Sequence, residues 1–97
     1  MAASVYVVAR LVAKPGKEEE LRSALLGFIA PSRRELGCYQ YDLLQNPEDP
    51  REFCFVERWE DDRAVDQHAA SAHLTAGRAQ AEGLAEGPAD VRRYRIL

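Results

Sequence analysis

The chain contains little cysteine and no long hydrophobic run. Only two of its 97 residues are cysteines, Cys38 and Cys54, which is too few for a disulfide scaffold. The longest unbroken apolar run, Val5–Ala9, is far shorter than the roughly 20 residues that a membrane-spanning helix needs. No charged segment followed by an apolar one marks a secretory signal. We therefore expect reduced thiols, a cytoplasmic location and no membrane partner.

The sequence also lacks an excess of positive charge and the motifs of nucleotide sites. Its formal net charge is −3, from 13 Lys and Arg against 16 Asp and Glu, which argues against a nucleic-acid partner. No G-x-G-x-x-G, P-loop or G-x-S-x-G motif occurs, so neither a nucleotide cofactor nor a serine nucleophile is indicated. A hydrophobic share of 46% and a charged share of 30% are ordinary for one globular domain. We place that domain over residues 1–97, with a loose start at 1–4.

Strand and helix patterns alternate along the rest of the chain. Strand-like segments bounded by turn residues are found at 4–13, 38–45, 52–60 and 90–97. Helical spacing of apolar residues is found at 17–36 and 61–75. The glycine-interrupted stretch at 76–88 is either a second short helix or a mobile lid. The order β-α-β-β-α-β predicts an α+β, ferredoxin-like fold, with an antiparallel sheet and two helices on one face.

The helix patterns contain signals for a break and for their ends. Pro31 lies inside the first pattern, so we expect a kink or a break near Ala30. Gly37 is the predicted left-handed cap that ends this helix. The second helix is expected to begin at Asp61 or Asp62, because an aspartate side chain caps free backbone N–H groups.

The residue pattern of the two central strands predicts how they pair in a hairpin. If Leu44 pairs with Cys54, the odd-numbered residues of both strands share one face. That face carries the large rings of Tyr39, Tyr41, Phe53, Phe55 and Trp59. We expect it to lie under the helices, with Tyr39 opposite Trp59. In the same register Cys38 faces Glu60 and is too far from Cys54 for a disulfide.

The even-numbered face of the sheet is mixed in character but still carries apolar residues. They are Val8, Val12, Leu44 and Val56. So much apolar surface on an open face invites a partner. We therefore predict a homodimer formed by sheet-on-sheet packing through this face. The alternative is an ordinary half-exposed sheet.

His68 is the first candidate for chemistry. Helical spacing puts it on the buried stripe of the second helix, aimed at Trp59, Phe55 and Tyr41. A histidine in that place is either a general base near neutral pH or a hydrogen-bonded structural residue. Alanines dominate the facing helical segment, so they either allow close packing or leave a cavity that suits a flat aromatic ligand.

Glu57 is the second candidate, because it is a carboxylate on the aromatic face. A buried carboxylate needs a partner or a proton, and Tyr41, an arginine of the last strand and His68 are the possible partners. A structural ion pair is the alternative to a role in a site. On one continuous helix His68 and His73 would point roughly 140° apart, so we expect no metal site.

Four segments of the chain carry a combined pattern. They are Val7–Leu11 with Pro15-Gly16-Lys17, Glu35–Tyr41, Val56–Glu60 and His68-x4-His73-Leu74. Together, over residues 5–96, they resemble the antibiotic biosynthesis monooxygenase (ABM) domain family. Each piece alone is weak, but the G-C-x-x-Y strand start followed by E-x-W and H-x4-H is fairly specific.

The resemblance implies a dimeric α+β barrel made of two ferredoxin-like subunits. It also implies oxidation of electron-rich aromatics, such as quinols or polyketide phenols, by O2 without metal, flavin or haem. No cofactor is therefore expected. Relatives that degrade haem use an Asn in the first strand and a late His. Here those positions hold Ala9 and Arg78, which argues against haem cleavage.

The resemblance further implies a pocket for a small aromatic substrate. Its inner wall would be Trp59, Phe55 and Tyr41, roofed by His68 and His73. With Glu57, singled out above for its place on the aromatic face, these are the predicted site residues. His68 would take a phenolic proton, and the electron-rich phenolate would then react with O2. The alternatives are a non-catalytic dimer that binds aromatic ligands and an effector domain that regulates through dimerisation.

Overall fold

The computed structural model describes residues 4–97 of the chain, and within them four strands and four helices are found. In chain order they are β1 (Val5–Val12), α1 (Glu18–Leu26), α2 (Ile29–Arg33), β2 (Cys38–Asn46), β3 (Asp49–Trp59), α3 (Asp62–Ala69), α4 (Ala72–Glu82) and β4 (Asp90–Tyr94). The predicted loose start at 1–4 lies outside the described residues except for Ser4. None of the described helices is long and apolar enough to cross a membrane.

The four strands form one antiparallel sheet in the order β2-β3-β1-β4. This arrangement confirms the predicted ferredoxin-like α+β fold. The last strand is shorter than predicted and ends at Tyr94, which pairs with Tyr6. In the antiparallel register, the partners of residues 95–97 would be Val5 and the residues before it. Because β1 begins at Val5, β4 has little strand to pair with beyond Tyr94.

The first predicted helix is broken, as its proline indicates, but earlier than expected. It ends at Leu26, and a turn at Gly27 and Phe28 separates α1 from the short α2. Pro31 has no N–H to give the carbonyl one turn before it, so the disruption falls on the turn that precedes the proline. Gly37 has the predicted left-handed backbone, with a φ of +85°. It does not cap the helix, however, because α2 ends at Arg33 with Arg34 as its C-cap, and Gly37 lies in the turn before β2.

The second predicted helix is also divided. The Asp61 side chain accepts a hydrogen bond from the Ala64 N–H, which confirms Asp61 as its N-cap. The helix stops at Ala69, and the Ser71 side chain caps a new helix, α4, that runs to Glu82. Most of the stretch left open at 76–88 is therefore helical. Because of this break, His68 and His73 lie on two different helices.

The β2–β3 hairpin has the predicted register over most of its length. Leu44 pairs with Cys54, and Tyr41 pairs with Glu57. Near the start of β2 the register shifts by one residue, so Cys38, and not Tyr39, pairs with Trp59. The predictions that Tyr39 faces Trp59 and Cys38 faces Glu60 are wrong. A β-bulge inserts one extra residue here, and a one-residue slip sends a side chain to the other face.

The core lies between the helices and the aromatic face of the sheet. From the strands it takes the buried side chains of Val7, Ala9, Tyr41, Phe53, Phe55 and Trp59. From the helices and their connections it takes Leu21, Leu25, Phe28, Ala64, Val65 and Leu74. The rings are in contact: Phe28 stacks on Phe55 with centroids 5.7 Å apart, and Tyr41 lies 5.0 Å from Phe55. Apart from Tyr39, the predicted aromatic row is where the sequence places it.

The close approach of α4 to the rest of the core depends on Gly77. A Cβ atom at this position would overlap the ring of Phe28, whereas Gly83 has open space around it. We expect Gly77→Ala to lower the free energy of unfolding by about 1–3 kcal/mol, because overpacking outweighs the gain of roughly 0.5–1 kcal/mol in helix propensity.

The matched control is Gly83→Ala at the end of the same helix, which should be neutral or slightly stabilising. Urea denaturation of the two variants and the unaltered chain measures both effects. Equal stability of the two alanine variants would contradict the packing argument.

Candidate functional site

A cavity of about 140 Å³ lies between the sheet and the helices. Its lining is mostly apolar, and the polar side chains on it belong to Tyr41, Glu57, His68, Arg78 and Arg93. An apolar cavity of about 150 Å³ is large enough for benzene. The outer end of the cavity is lined by exposed residues of α4 and β4, so a larger ligand can extend from there towards solvent.

The cavity contains four of the six residues predicted for the site. Tyr41, Phe55, Glu57 and His68 line it, and His68 lies against the Tyr41 ring with centroids 5.4 Å apart. Trp59 and His73 do not line it. The cavity therefore takes its catalytic candidate from α3, and its walls come from all four strands and from α1, α3 and α4.

Trp59 lies behind the cavity and supports two of the residues that line it. Its side chain is fully buried, and its Nε1–H donates a hydrogen bond of 2.8 Å to Glu57 Oε1. Its ring lies 4.5 Å from that of His68, centroid to centroid. Trp59 thus fixes the positions of a carboxyl group and an imidazole without reaching the cavity itself.

Glu57 is a buried carboxyl group with few partners. Burial raises its pKa to about 7, against the effect of the Trp59 hydrogen bond, which lowers it. His68 Nε2 is 3.8 Å from Oε1. Of the partners proposed from the sequence, the last-strand arginine is engaged elsewhere, because Arg93 pairs with Asp62 and Asp66 of α3.

His68 is held between two carboxyl groups. Its Nδ1 is in hydrogen-bond contact with Glu35 Oε2, and its Nε2 faces Glu57. Burial lowers the pKa of His68, and the hydrogen bond to Glu35 opposes that effect. With Nδ1–H donating to Glu35, the neutral ring has its free lone pair on Nε2. His68 is therefore suited to accept a proton at Nε2.

Sequence reasoning missed Glu35 as a site residue. Glu35 follows α2, just before the Gly37 turn, and its carboxylate lies between the two histidines. His73 Nε2 is 3.3 Å from Glu35 Oε2 and 3.2 Å from Ser32 Oγ. The only available signal was the presence of Glu35 in one of the four family-like segments. Glu35, His68 and His73 are also the described residues that could together hold a metal ion.

Tyr41 and Arg78 complete the polar lining. Burial and the neighbouring charge of Glu57 raise the pKa of Tyr41 well above its usual value, so its phenol stays neutral. Arg78 donates to the Ala69 carbonyl at 2.8 Å, and no ion pair links it to an acidic group among residues 4–97. The cavity thus offers one base, one neutral phenol, one buried carboxyl group and two arginines in apolar surroundings, and Arg93 is already paired with Asp62 and Asp66.

The fold and the cavity define this chain as a small ferredoxin-like domain with an aromatic-lined cavity. A model of the family described as "Antibiotic biosynthesis monooxygenase" matches residues 4–80. The chain therefore belongs to the antibiotic biosynthesis monooxygenase family. This membership supports a monooxygenase-type function.

Curated relatives agree with the family match. The chain is 36% identical over 91 residues to "Putative monooxygenase Rv0793" of Mycobacterium tuberculosis, covering 94% of this chain and 89% of that protein. It is 33% identical over 92 residues to "Putative monooxygenase YcnE" of Bacillus subtilis, covering 95% and 97%. The chain also matches an uncharacterised Synechocystis protein, of whose length it spans 63%.

A solved structure supports the same fold assignment. The crystal structure of PA3566 from Pseudomonas aeruginosa superposes with a TM-score of 0.93 at 33% identity. The match covers 100% of this chain and 97% of that one.

The raised pKa of Glu57 gives a prediction about stability and pH. Its usual value is 4.5 and its folded value about 7, so folding keeps the group protonated between these limits. The stability that this provides is complete below pH 4.5 and is lost as the pH rises through 7. Glu57→Gln keeps an oxygen that accepts from Trp59 and has no charge to bury.

Relative to the unaltered chain, Glu57→Gln should therefore gain ~1–3 kcal/mol in unfolding free energy between pH 4.5 and pH 8. Urea denaturation at both pH values measures the difference. The exposed Glu60→Gln is the control and should show no such gain. A constant difference between the Glu57 variant and the unaltered chain would show that Glu57 ionises normally.

Proposed function

We propose that this protein is a cofactor-independent monooxygenase that oxidises an electron-rich aromatic, a quinol or a polyketide phenol, to a quinone with O2. One observation carries the proposal: His68 lines an apolar, aromatic cavity and is oriented by a carboxylate on its far side. Family membership supports the same reaction class. The cavity walls fit a flat ring, since Phe55 and Tyr41 line them.

The reaction begins with a proton transfer. His68 Nε2 accepts the phenolic proton, and Glu35 stabilises the imidazolium that forms, because its carboxylate contacts Nδ1. The phenolate gives one electron to O2, which yields a phenoxyl radical and superoxide. The radicals combine at a ring carbon that bears a hydrogen, and the resulting peroxide takes back the proton held by His68. Loss of water, which carries away that proton and the ring hydrogen, leaves the quinone carbonyl. One oxygen atom enters the product and the other leaves as water.

The remaining residues bind and orient the substrate. The apolar lining excludes water, which strengthens the interaction between the phenolate and the charged groups around it. Trp59 holds the His68 ring in place from behind, at 4.5 Å between centroids. Holding the ring near the base reduces the entropy lost on reaching the transition state.

The test is oxygen uptake by the metal-free protein with menadiol-like quinols and tricyclic polyketide phenols. We expect uptake by the unaltered chain and a fall of about 100-fold or more in His68→Gln, because the general base is gone. Gln67→Ala, an exposed neighbour on α3, is the matched control and should keep full activity. Near-UV circular dichroism confirms that each variant is folded.

Two results would contradict this assignment. Unchanged turnover by His68→Gln would remove His68 from the reaction. An absence of uptake together with tight binding of the same compounds would instead identify a non-catalytic dimer that binds aromatic ligands.

We also infer that two copies pair through the open face of the sheet. Val8 and Val56 pair at the centre of that face, and both are only half-buried. Leu44 and Tyr94 are 48% and 51% exposed on its outer strands. Burying this apolar surface supplies the driving force for a dimer.

Size-exclusion chromatography with light scattering tests the dimer. The unaltered chain should elute at twice its 10.9 kDa mass at micromolar concentration. Val56→Arg should shift it to the monomer, because it buries an unpaired charge in the interface. Gln80→Arg, on the exposed side of α4, is the control and should not. A monomeric unaltered chain would overturn the inference.

A further inference from the structure

Three potential metal ligands converge beside the cavity. Glu35 comes from the turn after α2, His68 from α3 and His73 from α4. One donor atom from each lies within 4.8 Å of the other two. His68 Nδ1 and His73 Nε2 both approach the same carboxylate oxygen, Glu35 Oε2. The donors thus surround one point in space, which the break between α3 and α4 makes possible.

The surroundings of these three residues suit a cation. No Lys or Arg in the described range 4–97 forms an ion pair with Glu35, and the groups in contact with its carboxylate are the two imidazole rings. The side chains of Glu35 and His73 are 19% and 26% exposed, which leaves a route from solvent. Ser32 Oγ adds an oxygen 3.2 Å from His73 Nε2.

We propose that Glu35, His68 and His73 bind a divalent transition-metal ion of the Zn²⁺ and Co²⁺ type. Imidazole nitrogen and carboxylate oxygen are the ligands such ions prefer, at about 2.0–2.2 Å. Donors that share one ion at those bond lengths lie roughly 3–4 Å apart. His73 Nε2 already lies 3.3 Å from Glu35 Oε2, and the direct contact between His68 Nδ1 and that oxygen has to open slightly to admit an ion.

The outer surroundings of His68 fit the same assignment. A metal-bound histidine usually donates its other ring N–H to a carboxylate, which fixes the ring. Here the carboxyl oxygen that the other nitrogen, Nε2, faces is Glu57 Oε1 at 3.8 Å, so this contact must shorten to become that hydrogen bond. The alternative to a metal site is a network of hydrogen bonds among Glu35, His68 and His73, in which protons replace the ion between the same atoms. Metal titration distinguishes the metal site from this network.

Metal binding has a consequence that rests on the proposed function. An ion on Nδ1 requires the remaining ring proton of His68 to be on Nε2. Nε2 is the atom that accepts the phenolic proton in the proposed reaction. The ion and the substrate proton therefore compete for one imidazole, and a bound metal ion inhibits the oxygenase.

The first experiment titrates Co²⁺ into the chelator-treated protein and follows visible absorption and calorimetric heat. We expect one ion per chain and a spectrum of mixed nitrogen and oxygen ligation. His73→Gln and Glu35→Gln should each weaken binding about 100-fold, and Glu82→Gln, an exposed carboxylate of α4, should not. No binding at millimolar Co²⁺, or binding that survives in His73→Gln, overturns the site.

The second experiment adds Zn²⁺ to the oxygen-uptake assay. Uptake by the unaltered chain should fall as the site fills, and whatever uptake His73→Gln retains should be insensitive to the same Zn²⁺. Uptake that is unchanged or raised at full occupancy overturns the inhibitory role. If no substrate supports uptake, the proposed function fails, whereas the Co²⁺ titration still decides the metal site.

Discussion

The contact between His68 Nδ1 and the Glu35 carboxylate is the interaction on which the site depends. It joins residues 33 positions apart in sequence and connects α3 to the turn that leads into β2. On the sheet side, Trp59 supports the same imidazole and donates to Glu57. The His68 ring is thus held by the Glu35 carboxylate and the Trp59 ring, and it faces the Glu57 carboxyl group. A base held in this way keeps one tautomer and one orientation.

The breaks in the two helices decide which side chains can meet. A continuous helix from Asp61 onwards would point His68 and His73 to different sides. The Ser71 cap starts a new axis, and the two rings come to 5.9 Å between centroids. The break before Pro31 has a comparable effect, since it places Phe28 in the connection between α1 and α2, where its ring reaches both Phe55 and α4.

Much of the fold could be predicted from the sequence, because alternation and turn residues are local signals. The pairing of Leu44 with Cys54 follows from such alternation and is confirmed. Glu35 could not be found in that way, because its role arises from contacts across many residues. The partner of Glu57 was missed for a related reason: Trp59 lies two residues along the same strand, and its ring nitrogen turns back towards the carboxyl group. The alternation of apolar and polar residues shows which face of the sheet a side chain lies on, but not which neighbouring atom its polar group contacts.

The bulge near the start of β2 determines which side chain of that strand lies beside Trp59, the ring that supports His68. In an unbroken ladder the Tyr39 ring would lie beside Trp59, on the side of the sheet that His68 occupies. The extra residue turns Tyr39 to the opposite side, where its ring lies 5.3 Å from the Arg58 guanidinium. The β2 bulge thereby keeps the Tyr39 ring away from the side of the sheet on which the His68 imidazole lies.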